Sequence, residues 1–259
     1  MTANPTEPLD AAFRLLDRQI IDCAGSLVAK VDDLELAELP DGRLAVTALL
    51  VGPGALGPRL GGRVGTWWVA LWRRLHPDRD PAVGRIPITD ITRIDSAIRI
   101  GRTRADLGLE GFEDWVYAHV VSRLPGAGVG GGGGEPGGPE RGEAPATPAP
   151  EVVTRRLVGL LGLRVLGPDG AELGYVNDAR VSLPVPSPAR APVVGLIVDN
   201  RPRGTLLGYE RRPRQGPWLV RILVRAVHRT AGYAPWQAVQ NVHWSAGTVT
   251  LRAPGLQDL

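Results

Sequence analysis

The chain has 259 residues, enough for one large domain or two modest ones, each able to bury its own core. Apolar content of 43% is ordinary for a globular protein, and the single cysteine, Cys23, excludes an internal disulfide framework and a Cys-cluster metal site. The net charge of +3 conceals an uneven spread: residues 1–124 carry 15 basic and 17 acidic side chains, whereas residues 151–259 carry 14 arginines and 7 acids.

The opening MTANPTEPLDAAF has neither a basic start nor an apolar centre, so no secretory signal is expected. No run approaches the ~18 apolar residues of a membrane span, and the expectation is a soluble, cytoplasmic protein. A short strand is expected at Gln19–Asp22. The turn Asp22-Cys23-Ala24-Gly25 follows, with glycine last, where a positive φ costs least. An alternating strand over Leu27–Leu36 and an apolar one over Arg43–Gly52 come next. The run TWWVALWRRLHPD then puts Trp67, Trp68, Leu71, Trp72 and Leu75 at helical spacing, which predicts a helix near 66–76. A proline-containing return, Ile86–Ile100, ends in a closing strand, AIRI.

Beyond Thr103, the residues Phe112, Trp115, Val116, His119 and Val120 fall at i, i+3, i+4, i+7 and i+8. They predict an amphipathic helix within 105–124, stopped by Pro125 and Gly126. Residues 125–150 are dominated by glycine and proline and carry almost no apolar side chains. Such a segment cannot offset the entropy of ordering, so it reads as a disordered tether, roughly 28 Å from end to end as a random coil.

After the tether the plan recurs. Aligning Leu16 with Leu161 pairs Ile20 with Val165, Gly25 with Gly170, Val31 with Val176 and Asp33 with Asp178, without a gap. Strands are expected at Arg164–Leu166, Glu172–Val181 and Ala191–Asn200, with a GPDG turn between the first two. PWLVRILVRAVHR predicts a second helix, near 217–229, with Trp218 on its apolar face. A second return, Ala234–Leu251, closes on TVTL. Strands, helix and return repeat in one order, which argues for internal duplication.

The runs IIDCAGSLVAKVDDL and VLGPDGAELGYVND, with the returns IPITDITRIDSAIRI and APWQAVQNVHWSAGTVTL, resemble the PRC-barrel family. That small β-barrel is shared by the photosynthetic reaction-centre H subunit and the C-terminal part of the ribosome maturation factor. The resemblance covers most of residues 15–101 and 159–252. It departs from the family in two ways, a Trp-rich helix inserted before each closing strand pair and Ala29 where glycine is usual. It implies a β-barrel fold, with adaptor or assembly roles in some members and RNA-related work in others. It supplies no catalytic residues.

The four histidines, His76, His119, His228 and His243, form no metal-binding motif. Asp32 and Asp33, with Asn177 and Asp178, could suggest acid–base work. Short polar side chains at strand edges more often bond the local backbone, and that is the reading preferred. Cys23 sits beside Asp22, whose charge raises a thiol pKa, so it is not read as a nucleophile. Arg211, Arg212 and Arg214, with Arg221, Arg225 and Arg229 recurring every four residues, make a candidate basic patch for phosphates or an acidic partner. A solvated helix face is the commoner role for such residues. Trp67, Trp68, Trp72 and Trp218 are candidate partner-binding residues, weighed against plain core packing.

The expected architecture is mainly β with inserted helices. Two PRC-like barrels, 11–104 and 155–254, are joined through the 105–124 helix and the 125–150 tether. Pairing of the barrels about a pseudo-two-fold axis is an arrangement that duplication would allow, as a monomer or within a homo-oligomer. The functional expectation is a non-enzymatic adaptor or assembly protein that binds a protein partner and needs no cofactor. An RNA- or ribosome-associated protein using the arginines of the second repeat is the alternative.

Overall fold

The computed structural model describes residues 7–52, 55, 83–107, 153–200, 231–253 and 255–258. The helices expected near 66–76 and 217–229, most of the 105–124 helix and the 125–150 tether lie outside the described residues.

The first half enters through a two-residue strand, β1 (Leu9–Asp10), and a short helix, α1 (Ala11–Leu15), which buries Ala11 and Leu15. Strand β2 (Gln19–Ile21) turns back into β3 (Leu27–Lys30). In that turn Asp22 Oδ1 accepts the N–H groups of Ala24 and Ser26 at 2.9 and 2.7 Å. Gly25 takes a φ of +85°, a conformation that costs glycine little. Strands β4 (Asp33–Glu38) and β5 (Leu44–Val51) form a hairpin, followed by β6 (Gly84–Pro87). A 3-10 turn at Ile88–Asp90 leads into β7 (Ile91–Ile94), and β8 (Ile98–Ile100) closes the half.

The second half runs β9 (Thr154–Arg156), α2 (Leu157–Leu160), β10 (Arg164–Leu166), β11 (Glu172–Val181) and β12 (Ala191–Asp199). It continues with β13 (Gly232–Pro235), a 3-10 turn at Trp236–Ala238, β14 (Val239–His243), β15 (Thr248–Leu251) and β16 (Gln257–Asp258).

The protein is mainly β. A large, barrel-like sheet has the order β14-β15-β10-β11-β12-β5-β4-β9, with β1 on β11, β6 on β5, β13 on β12 and β16 on β13. A second, smaller sheet has the order β3-β2-β8-β7. The strand expected over Leu27–Leu36 is divided between the two. Val31 bonds to Asp17 and Arg18, whereas the next N–H, that of Asp32, donates to the Leu50 carbonyl at 2.9 Å. The chain thus changes partners within two residues. In the second half β11 stays whole. There Gly174 lies so close to β12 that a Cβ would stand 2.6 Å from the Asp199 carbonyl oxygen. Ala29, at the aligned position, carries the Cβ that Gly174 lacks, and its strand ends one residue later.

The two halves are stitched together along a seam. β1 pairs with β11, β9 with β4, and β5 with β12 through Val46–Ala191 and Ala45–Pro192. Buried side chains from both sides, among them Leu15, Leu36, Val46, Leu157, Val181 and Leu196, form one apolar cluster. Burial of that continuous apolar area is the main force holding the halves together.

Candidate functional site

Trp67, Trp68, Trp72 and Trp218 lie outside the described residues, as do Arg211, Arg212, Arg214, Arg221, Arg225 and Arg229. Among the described residues, Trp236 is buried in the core and Trp244 packs partly buried against it. Cys23 is exposed in its turn. The described residues contain no group of three or more His, Cys, Asp or Glu side chains placed to hold a metal ion. They also contain no helix long and apolar enough to cross a membrane.

The acidic pairs noted in the sequence meet the seam. Asp178 on β11 is buried, and its Oδ1 accepts the N–H of its neighbour Ala179 at 2.7 Å. The same oxygen accepts the N–H of Ala12 at 2.7 Å, while Oδ2 accepts that of Phe13 at 2.9 Å. Both donors belong to the first turn of α1, where backbone N–H groups lack partners within the helix. A carboxylate of the second half therefore closes a helix of the first. Asp33 on β4 does the converse. Its Oδ1 accepts the N–H of Leu34 at 2.8 Å and that of Val158, in α2, at 3.1 Å. Local backbone bonding is only part of what these residues do.

Burial pushes the Asp178 carboxyl up to about 7. The three backbone donors pull the other way, and the charge of Asp10 adds to the rise. Taking a carboxylate out of water outweighs three good hydrogen bonds here.

Beside this clasp, residues of β4, β5, β6 and β9, together with Val83, line a cleft of about 300 Å³. Leu50 and Val83 supply its apolar wall, and Glu35, Arg85, Thr154, Arg155 and Arg156 its polar lining. Each position follows from strand register. Glu35 stands opposite Arg156, and Leu50 opposite Arg85. Arg85 forks onto Glu35, with Nη2 at 2.8 Å from Oε1 and Nε at 3.1 Å from both oxygens. Thr47 donates its hydroxyl to the same carboxylate at 2.6 Å. Burial pushes the Glu35 carboxyl up, but the hydrogen bonds from Arg85 and Thr47 and the guanidinium charge outweigh it, holding the group below its ordinary value. The same contacts raise Arg85.

Arg155 is held differently. Its guanidinium lies 5.2 Å from the centre of the Trp244 ring, and its Nε is 3.5 Å from Glu38 Oε2. Arg155 Nε and Trp244 Nε1 are buried donors without a hydrogen-bond acceptor among the described residues.

The aligned position in the other half carries the opposite charges. Arg180 stands where Glu35 does and Tyr233 where Arg85 does, and Asp10 pairs with Arg180 as Arg156 pairs with Glu35. Arg180 Nε meets Asp10 Oδ1 at 2.9 Å, and its guanidinium lies 4.9 Å from the Tyr233 ring centre. One site is a carboxylate flanked by arginines, and its counterpart an arginine flanked by a carboxylate and a phenol.

No family model and no curated protein matches this chain. Neither the clasp nor the cleft was singled out in the sequence. The pair Arg155-Arg156 directly before an apolar helix start was the available signal, but only the register of β9 on β4 sets Arg156 opposite Glu35 and Arg155 opposite Leu36.

Proposed function

We propose that this chain is a non-enzymatic adaptor or assembly protein, built by internal duplication from two PRC-like β-barrels, that binds a protein partner. The duplication is supported by the shared order of elements and by the reciprocal Asp178–α1 and Asp33–α2 contacts. It is supported too by the pairing of β5 with β12. Leu36 faces Val46 in one half and Val181 faces Val193 in the other, which makes Ala45 and Pro192 counterparts, and these two pair with each other. A local two-fold relation puts counterpart residues together in that way.

The observation that carries the functional reading is the reversal of charge between counterpart sites. With Glu35 among arginines at one place and Arg180 beside Asp10 at the other, the fold offers two unlike surfaces. Electrostatic complementarity of that kind selects and orients partners. The carboxylates described at the seam are engaged by backbone N–H groups or by arginine, which suits structure and recognition better than proton transfer. The Trp-bearing helices would add apolar anchoring area, and the compartment that fits this reading is the cytoplasm.

A pull-down with the tagged full chain, at low and moderate salt and with or without nuclease, tests it. The expected result is a protein partner that survives both nuclease and added salt. Recovery of ribosomal material that nuclease abolishes would overturn it in favour of RNA binding through Arg211, Arg212, Arg214, Arg221, Arg225 and Arg229. Several arginine–phosphate contacts lose orders of magnitude in affinity over that salt range.

A further inference from the structure

We infer that the open edge of β3 is a strand-addition site, which takes an extended acidic segment of a protein partner with an acid set opposite Lys30. This rests on the adaptor reading and gives it a surface and a kind of partner.

The two halves differ at this edge. In the second half Tyr175 pairs with Arg164 on one side and with Asp199 on the other, so β12 covers β11. Lys30 is the aligned residue of the first half. The N–H and C=O of its neighbour Val31 bond Arg18 and Asp17, on the β2 side. Such groups alternate in direction along a strand, so those of Lys30 point the other way, as those of Tyr175 do. Counting from the counterparts Ala45 and Pro192, Gly52 stands where Asp199 does. Gly52 gives its N–H to Asp32 Oδ2 instead, at 2.7 Å, and β3 has no second strand beside it among the described residues. Gly174 takes a φ of +135° where β11 closes on β12, whereas Ala29 keeps a negative φ and leaves β3 a regular strand. A regular edge accepts a neighbouring strand that carries side chains.

Charge and exposure name the partner. One register row crosses the outer face of the small sheet through Leu27, Ile21, Arg99 and Arg93. Leu27 is 46% exposed, and Lys30 is exposed at the other end of β3. The four strands of that sheet carry three cations, Lys30, Arg93 and Arg99, and no acid. Asp95, in the β7–β8 turn, meets Arg93 at 3.0 Å and Arg99 at 3.5 Å and so balances one of them. Asp17 and Asp22, at the two ends of β2, have partners of their own, whereas Lys30 makes no ion pair among the described residues. A lysine on an open edge deters pairing with basic or apolar strands. It thereby selects a strand that brings an acid, because opposite charges across a strand pair attract and like charges repel. In strand addition main-chain bonds supply affinity and side chains supply specificity, and only a polypeptide offers both.

The test is fluorescence anisotropy of the purified full chain with a labelled peptide of the sequence Val193–Asn200, the segment that covers β11 in the second half. The peptide is expected to bind saturably, and K30E to weaken it about tenfold. A peptide with lysine in place of the aspartate is expected to reverse that order, binding K30E better than the wild-type chain. N-methylation of the aspartate nitrogen removes the donor to the Lys30 carbonyl and is expected to weaken binding about tenfold. On the wild-type chain, hydrogen exchange at the Lys30 amide should slow as the peptide saturates. No saturable binding, the same order of affinity for both peptides, indifference to N-methylation, or unchanged exchange at Lys30 would overturn the proposal. The adaptor reading is judged separately by its pull-down, which can succeed through another surface whatever the peptide does.

Discussion

Asp178 Oδ1 accepts the backbone N–H of Ala12 at 2.7 Å, across 166 positions of sequence and across the seam between the halves. With the Phe13 and Ala179 N–H groups on the same carboxylate, this makes Asp178 the centre of the clasp. Replacing it by alanine leaves three backbone donors without their acceptor, in a place that water does not reach freely. The D178A variant is expected to lose about 3 kcal/mol of stability, since each buried unsatisfied N–H costs roughly 1–3 kcal/mol and relaxation recovers part. Chemical denaturation with far-UV circular dichroism measures it, and a loss below about 1 kcal/mol would show that the clasp is dispensable.

The same carboxyl makes stability depend on pH. An aspartate in an unfolded chain titrates near ~3.9. In the fold Asp178 is raised to about 7. Between those values the folded state holds the extra proton, so this contribution is complete below the unfolded pKa and disappears as pH rises through 7. Asp22, Asp41, Asp95 and Asp106 are all lowered by hydrogen bonds to their carboxylates, and their opposite effect falls at more acidic pH. The unfolding midpoint of the wild-type chain should therefore decline between about pH 5 and pH 8, and D178N should flatten that decline. A parallel slope in D178N would assign the dependence to other groups.

Interlocked strands also govern what happens when the chain is cut. One apolar cluster spans the seam, and β1 and β9 each pair with a strand of the opposite half. Fragments 1–124 and 151–259, produced together, are expected to co-elute as a 1:1 complex on size exclusion. Produced singly, each exposes its share of the common core and is expected to aggregate or bind a hydrophobic dye. Two well-behaved monomers, each with a sharp unfolding transition, would contradict this.

Arg180 joins Asp10 and the Tyr233 ring at 2.9 and 4.9 Å, with both charged side chains about three-quarters covered. Partial exposure discounts such an ion pair, so R180A is expected to cost about 1 kcal/mol, of which the ring contact is a fraction. A double-mutant cycle with D10N should give a coupling energy of a few tenths to about 1 kcal/mol. No coupling would mean that solvent screens the pair.

Gly195 on β12 lies under the Tyr233 ring, where an added Cβ would stand 2.3 Å from a ring carbon. The tyrosine hydroxyl donates to the Val194 carbonyl at 3.0 Å, which fixes the ring in place. G195A is expected to destabilise by about 2 kcal/mol, in the range of an overpacked site. In the Y233A background the same change should cost much less, because the clashing ring is gone. Equal costs in both backgrounds would point to the backbone of β12 instead.

Strand positions were legible in the sequence because alternation and glycine-bearing turns are local. The expected Arg164–Leu166 and Glu172–Val181 strands and the TVTL closing strand agree with β10, β11 and β15 residue for residue. The break in Leu27–Leu36 was not legible, since it depends on Val31 and Asp32 finding partners in different sheets. The pieces β1, α1, β9 and α2 were not expected either. At two to five residues they are too short to carry a period, and contacts with the opposite half hold them in place.

Composition and pattern alone thus determined a β-rich chain whose motifs recur in one order on either side of a glycine-rich segment. They also determined that its acidic pairs would bond backbone groups. Only tertiary structure decided which backbone groups those were, and that Arg156 would stand opposite Glu35. The physical reason is range. Side-chain alternation and turn chemistry act over a few residues, whereas strand register across the seam is chosen by the burial of a core to which both halves contribute.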